Sequence, residues 1–142
     1  MITAEQVCQE LDAFYRSYIA AFNREDIDAF GESFAYPYAW ITGGHGLSQC
    51  ATESEHQRSF GKIMADLRQR GWARSEVNQF KAWALAEDLA MILADVTRYK
   101  TDSSILERVR ACYTLRRDTK GWKIVILCEV RPPFLGPGDL PR

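Results

Sequence analysis

The sequence predicts an α+β fold in which helices pack on a strongly curved antiparallel β-sheet. Before Ser75, apolar residues recur at the spacing of an α-helix. From Glu76 onward, long β-rich runs are separated only by short polar breaks. Because short connections join antiparallel neighbours, these runs predict a meander. The 142 residues fit one domain, residues 1–130, followed by a Pro/Gly-rich tail, residues 131–142.

Three helices are predicted in the first half of the chain. Thr3 and Gln6 form a capping box before a helix that ends near Phe22. Asp26 caps a shorter helix, which ends before Pro37, and Thr52 caps a third. The apolar side chains that we expect on their buried stripes are Val7, Leu11, Phe14, Tyr15, Tyr18, Ile19, Phe22, Ile27, Phe30, Phe34, Phe60, Ile63, Met64 and Leu67.

Extended segments make up most of the rest. Pro37 starts an extended stretch that turns back at the glycines after Thr42. Gly71 stops the third helix. Four long strands are then predicted at residues 76–85, 89–100, 106–117 and 122–130.

The last hairpin decides which side chains share a face of the sheet. Gly121 is expected to take the positive φ that closes the turn, and a bulge there would place Asp118 opposite Trp122. One face would then carry Arg110, Cys112, Thr114, Arg116, Trp122, Ile124, Ile126 and Cys128. The other face would carry Val109, Ala111, Tyr113, Leu115, Val125, Leu127 and Glu129. Neither face is plainly polar, so we expect helices on one and a partner subunit on the other.

Composition narrows the functional classes. The net charge of −1 gives no overall field that favours nucleic acid. No apolar run approaches the roughly 20 residues of a membrane span, and the polar start of the chain leads us to expect a cytoplasmic protein. The four cysteines have no C-x-x-C spacing, so reduced thiols are expected, with a Cys112–Cys128 disulfide as the alternative. Neither a metal nor a cofactor is expected.

Several segments together resemble the nuclear transport factor 2-like (NTF2-like) superfamily, including its polyketide-cyclase-like (SnoaL-like) branch. Residues 21–30, AFNREDIDAF, are similar to its AFN-x-x-D-x-D-A link. Residues 34–38, FAYPY, followed by Gly43 and Gly44, resemble an aromatic-Pro step and glycine turn of some members. Arg110, Arg116 and residues 121–124, GWKI, resemble its final R…R…GW[RK]I hairpin.

This resemblance implies a cystatin-like cone with a pocket inside and often a dimer through the outer face of the sheet. Members include dehydratases, isomerases and cyclases, but also non-catalytic binding and assembly domains, so fold alone leaves function open. Many relatives carry a histidine on the last strand. This chain has Ile126, Leu127 and Cys128 there.

Two charged residues are the candidate catalytic pair. Asp95 lies within an apolar strand, where a buried carboxylate could act as a general base. Arg110 could stabilise a developing negative charge inside the cone. The alternative for both is structural ion pairing, with Arg98, Arg108 or Arg110 as partner of Asp95, and Asp95 or Glu129 as partner of Arg110.

The candidate ligand-binding residues are mostly aromatic. Tyr15, Tyr18, Tyr38, Trp40 and Trp83 could line an apolar pocket, although core packing explains the aromatic residues of the first helix equally well. His45 lies in a glycine loop at the expected pocket mouth. His56 is expected at the surface.

The residues therefore favour two functions. The first is small-molecule binding in an enclosed apolar pocket without catalysis, or an assembly domain that uses the same cone. The alternative is a cofactor-independent dehydratase, isomerase or cyclase, with Asp95 as base and Arg110 as stabiliser. The expected partners are a small hydrophobic or carboxylated molecule and a second copy of the chain. The homodimer would form through the face of the hairpin that carries Val109, Ala111, Tyr113, Leu115, Val125 and Leu127. Phe134 and Leu135 of the tail would dock on the same subunit or on its partner.

Overall fold

The computed structural model describes residues 1–43 and 46–135. Three helices are present there: α1 (Ala4–Asn23), α2 (Ile27–Gly31) and α3 (Glu53–Gln69). They lie on one side of a sheet whose strands are β1 (Phe34–Thr42), β2 (Gly46–Cys50), β3 (Trp72–Ala86), β4 (Leu89–Lys100), β5 (Ile105–Asp118) and β6 (Gly121–Val130). The predicted α+β class is confirmed.

The six-stranded sheet has the order β2-β1-β6-β5-β4-β3 and is curved and open. Strands β3 to β6 form the predicted antiparallel meander. The β1–β2 hairpin joins the free edge of β6, and β1 runs parallel to it. The sheet is therefore mixed rather than wholly antiparallel. Local patterns predicted the extended stretch and its glycine turn but not strand β2, and which edge this hairpin joins depends on long-range packing.

Side-chain caps start the two long helices. The Thr3 hydroxyl accepts from the backbone N–H of Gln6 at 3.1 Å, and the Gln6 side chain accepts from the N–H of Thr3 at 2.8 Å. This is the predicted capping box. At α3, the Thr52 hydroxyl accepts from the N–H of Glu55, whereas the Glu55 carboxylate accepts from the N–H of Ala51. Both caps satisfy backbone donors that have no partner within the helix.

Two element boundaries differ from the prediction. Helix α2 ends at Gly31, and Phe34 already belongs to β1 rather than to the helix. The backbone N–H of Ile124 donates to the carbonyl of Ser33 at 2.8 Å, so pairing with β6 takes over from the helix there. Strand β3 begins at Trp72, because Trp72 already pairs with Lys100 of β4.

The register of the last hairpin corrects the predicted faces. Gly121 has the expected positive φ of 108°, but it lies opposite Asp118, so that Trp122 faces Arg117. The irregularity lies beside Val125 rather than at Gly121. Since a one-residue shift moves side chains to the other face, the predicted placement of Trp122 with Arg110 is wrong.

From Ile126 to the end of β6, on the side of Val125 away from the turn, the predicted register with β5 is observed. Cys112 lies directly opposite Cys128, and both thiols are free. Burial raises the pKa of each thiol, which lowers its thiolate fraction at neutral pH.

The helices cover the face that was expected to be open. We call it the inner face and define it by Val109, Ala111, Tyr113, Leu115 and Leu127, whose exposures are 0–6%. The opposite, outer face begins with Arg110, Cys112 and Thr114 on β5. The apolar patch that motivated a dimer is therefore part of the hydrophobic core, and that premise is wrong. The covered face is the one with the larger apolar side chains, as burial of apolar surface requires.

Candidate functional site

A cavity of about 340 Å³ lies between α1, α3 and the inner face of the sheet. Its walls are mainly apolar: Ile19, Phe22, Phe60, Ile63, Leu67, Val96, Val109, Ala111 and Leu127. The strands contribute small side chains at this place, such as Val96 and Ala111, and these leave room that the helices do not fill. The volume is at the lower end of the range of small-molecule sites, about 300–1,000 Å³.

Three tyrosines form the polar part of the inner wall. The hydroxyls of Tyr15 and Tyr113 are 3.2 Å apart, and that of Tyr18 also interacts with Tyr113. Burial raises the pKa of all three phenols, so they stay protonated and can donate hydrogen bonds. The three hydroxyls carry three protons, and two contacts among them use only two. One proton is left for an acceptor in the cavity.

A network of charged residues forms the cavity mouth. The buried side chain of Arg98 donates through Nη1 to Glu107 at 2.7 Å and to Glu129 at 3.4 Å. Glu107 also accepts from Arg70 at 2.9 Å and from Arg131 at 3.0 Å. Although desolvation would raise the pKa of Glu107, these three arginines lower it to about 2. The carboxylate therefore stays ionised and holds α3, β4 and the start of the tail together.

The tyrosine cluster and the charged network lie at different places along the same strands. Tyr113 is opposite Ile92, whereas Arg98 is opposite Glu107. Six residues of β4 thus separate the two positions, or roughly 20 Å of backbone. The cavity has hydroxyl donors at one position, a guanidinium at the other, and apolar walls between them.

Residues 9–132 match the family model described as NTF2-like protein (DUF6841). The chain belongs to this family. Solved structures agree on the fold. An NTF2-like protein of unknown function from Pseudomonas putida has a TM-score of 0.75 and 17% identity, with 95% of this chain and 93% of that chain covered.

Two further solved structures are similar. A protein of unknown function with a cystatin-like fold from Nostoc punctiforme has a TM-score of 0.72 and 16% identity, covering 95% of this chain and 97% of that one. A putative dehydratase of the NTF2-like family from Streptomyces avermitilis has a TM-score of 0.70 and 14% identity, covering 89% and 96%. No curated protein matches the chain. At these identities the likeness shows the fold alone.

The NTF2-like cavity brings together only some of the predicted ligand-binding residues. Tyr15, Tyr18 and Trp40 line it. Tyr38 is buried outside its wall, and Trp83 lies opposite Met91 on the outer face. His45 lies outside the described residues. The role of each in binding stays a prediction.

The candidate catalytic pair lies on the outer face. Arg110 donates through Nε to Oδ1 of Asp95 at 2.6 Å and through Nη2 to Oδ2 at 3.0 Å. Both side chains are buried, and the ring of Phe134 lies 4.8 Å from the guanidinium. The prediction that Arg110 points into the cone is wrong, because its neighbour Ala111 takes the inner face. The structural alternative, pairing with Asp95, is the geometry observed, and the tail docks Phe134 on its own subunit.

Sequence reasoning placed His56 at the surface, but its side chain is fully buried. Its Nδ1 lies 2.7 Å from the hydroxyl of Tyr38, and its Nε2 has no hydrogen-bond partner among the described residues. A Cβ at Gly31 would lie 3.1 Å from the imidazole, so the glycine makes room for the ring. Helical spacing was the available signal, because His56 precedes Phe60 by one turn on the buried stripe of α3.

In the part of the chain that the structure describes, no group of three or more His, Cys, Asp or Glu side chains could hold a metal ion. No helix of these residues is long and apolar enough to cross a membrane.

Proposed function

We propose that this NTF2-like protein binds a small, mostly apolar molecule in the cavity between α1, α3 and the inner face. The observation that carries the proposal is the chemical layout of the cavity. Its lining is mainly apolar but includes the side chain of Tyr18 and, further along the sheet, that of Arg98. Small-molecule sites commonly combine apolar walls with a few polar groups that orient the ligand.

The polar groups of the cavity favour binding without catalysis. The tyrosine hydroxyls are neutral donors, because burial raises the pKa of each. The carboxylates at the mouth, Asp66 and Glu129, are held in ion pairs with arginines. Asp95 and Arg110 are paired with each other on the outer face, away from the cavity. These ion pairs occupy the carboxylates that a general base would have to supply.

A second candidate function is a cofactor-independent dehydratase, isomerase or cyclase. Glu129 lines the same cavity as the tyrosine hydroxyls, so that a carboxylate and neutral donors could face one substrate. The putative dehydratase from Streptomyces avermitilis has the same fold. In this version Glu129 replaces Asp95 as the base, and Arg110 has no direct role.

Calorimetry with 2-naphthol, a neutral apolar probe with one hydroxyl, tests the binding proposal. Ala111→Leu should fill the cavity and weaken binding at least tenfold. The matched control, Thr114→Leu, adds bulk to the outer face of the same strand and should leave the affinity unchanged. Tyr18→Phe should weaken binding about fivefold, the usual effect of one lost hydrogen bond.

Circular dichroism should first show that each variant is folded. The proposal fails if 2-naphthol and its naphthalene carboxylate and carboxamide analogues all fail to bind. It also fails if folded Ala111→Leu binds them as tightly as the wild type does.

A further inference from the structure

We infer that the ligand of this cavity carries a carboxylate that binds the Nε and Nη2 edge of Arg98. The inference rests on the proposed function and narrows its ligand class to small apolar carboxylic acids. Such a molecule would place its acid group at the mouth and its apolar body between α1, α3 and the inner face.

Within residues 1–43 and 46–135, the hydrogen bonds of Arg98 use one of its three nitrogens. Nη1 donates to Glu107 and Glu129. Nε is buried and has no partner among the described residues. No hydrogen bond of Nη2 is found within residues 1–43 and 46–135 either. Nε and Nη2 form the side of the guanidinium fork that matches the two oxygens of a carboxylate.

The same protein shows how that edge is used when it is filled. On the outer face, Nε and Nη2 of Arg110 hold the two oxygens of Asp95 at 2.6 and 3.0 Å. The two arginines have the same exposure, 7%. For Arg98, no carboxylate of the described residues takes the place that Asp95 takes on Arg110, and the side chain lines the cavity.

An unfilled donor of this kind is unfavourable in the free protein. A buried N–H without an acceptor costs about 1–3 kcal/mol, and more when the group is charged. An amide offers one neutral carbonyl oxygen to these two N–H groups. A carboxylate offers one oxygen to each of them and adds charge attraction. The donor pair therefore favours an acid over its neutral amide.

The charges around the mouth favour an anion as well. Lys62, Arg70, Arg98 and Arg131 line the cavity. Three carboxylates, Asp66, Glu107 and Glu129, oppose these four cations. Lys62 has no ion pair in the part of the chain that the structure describes. One bound carboxylate would balance the group.

Calorimetry with 2-naphthoate and its neutral analogue 2-naphthamide tests the inference. Wild-type protein should bind the acid at least tenfold more tightly than the amide. Arg98→Lys keeps the positive charge but removes the two-pronged edge, so the preference should fall at least fivefold. The control, Arg68→Gln, also removes an arginine and its ion pair, with Glu25, but lies outside the cavity lining and should leave the preference unchanged.

The outcomes separate the inference from the proposed function. Equal binding of acid and amide, with both weakened by Ala111→Leu, would overturn the carboxylate while leaving the cavity as a binding site. Absence of binding by both, and by 2-naphthol, would overturn both proposals. If Arg98→Lys does not fold, the wild-type preference decides, together with its loss in 1 M sodium chloride, where a charge interaction at the mouth is strongly screened.

Discussion

Arg98 on the inner face of the sheet and Arg110 on the outer face are both buried, but they differ in how carboxylates bind them. Arg110 lies directly opposite Asp95, whose carboxylate accepts from both Nε and Nη2 of Arg110. Arg98 on the inner face lies opposite Glu107, which it shares with Arg70 and Arg131. The Nε and Nη2 edge of Arg98 has no hydrogen-bond partner in the part of the chain that the structure describes. Burial of a charged residue is therefore a poor sign of a site, and unfilled donors are a better one.

The largest expected effect on the free energy of unfolding comes from the Asp95–Arg110 ion pair on the outer face. Asp95→Ala leaves the buried guanidinium of Arg110 without its carboxylate and should lower the free energy of unfolding by about 3–5 kcal/mol. Urea unfolding at pH 7 measures it. The double variant Asp95→Leu/Arg110→Met should recover most of the loss, because no buried charge remains unpaired.

The same variants test whether the outer pair has a role in the cavity. Folded Asp95→Leu/Arg110→Met should bind 2-naphthoate as the wild type does. Weaker binding by this variant would couple the two faces and break the contrast between them, and it would bring back a role of the pair in the site.

A smaller effect is expected from His56, which is buried on the helix side. Burial lowers its pKa from 6.5 to about 4. Between these values the unfolded chain binds more protons than the folded one, so the free energy of unfolding falls as the pH falls. The loss between pH 7 and pH 5 should be about 2 kcal/mol, measured by urea unfolding.

His56→Gln removes this titration and should flatten the pH dependence between pH 7 and pH 5. Glu107 does not interfere, because arginine hydrogen bonds, working against desolvation, lower its pKa to about 2, and its effect appears only below about pH 4.5. Identical slopes for the wild type and His56→Gln would show that the buried imidazole does not control stability in this range.

The smallest effect on the free energy of unfolding is expected at the open part of the outer face. Ile41, Leu47, Ile126 and Val130 are 38–65% exposed. We propose that a second copy of the chain covers them in a homodimer. Light scattering should then give twice the monomer mass, and Ile126→Glu should halve it while changing monomer stability by at most about 0.5 kcal/mol.

Ile105→Glu is the matched control, since Ile105 is also an exposed isoleucine but lies at the far end of β5. It should leave the mass doubled. A wild-type protein of monomer mass in dilute solution would exclude the dimer and leave the exposed isoleucines as ordinary surface residues.

The sequence by itself determined the elements whose signals are local. The capping box of Thr3 and Gln6, the 3.6-residue stripe of α1 and the positive φ at Gly121 each depend on residues a few positions apart, and all are present. The switch to strands also predicted the meander. The stripe of α1, which must face the sheet, includes Tyr15 and Tyr18, and both line the cavity.

Only the tertiary structure decided which face of the sheet the helices cover. A bulge at Val125 instead of Gly121 moved Trp122 and Ile124 away from Arg110, and no short-range pattern distinguishes these two positions. Partners such as Glu107 and Arg131 are brought to Arg98 from distant parts of the chain. Whether the Nε and Nη2 donors of a buried arginine find a carboxylate depends on these long-range contacts. The pattern of side chains along a single strand does not contain this information.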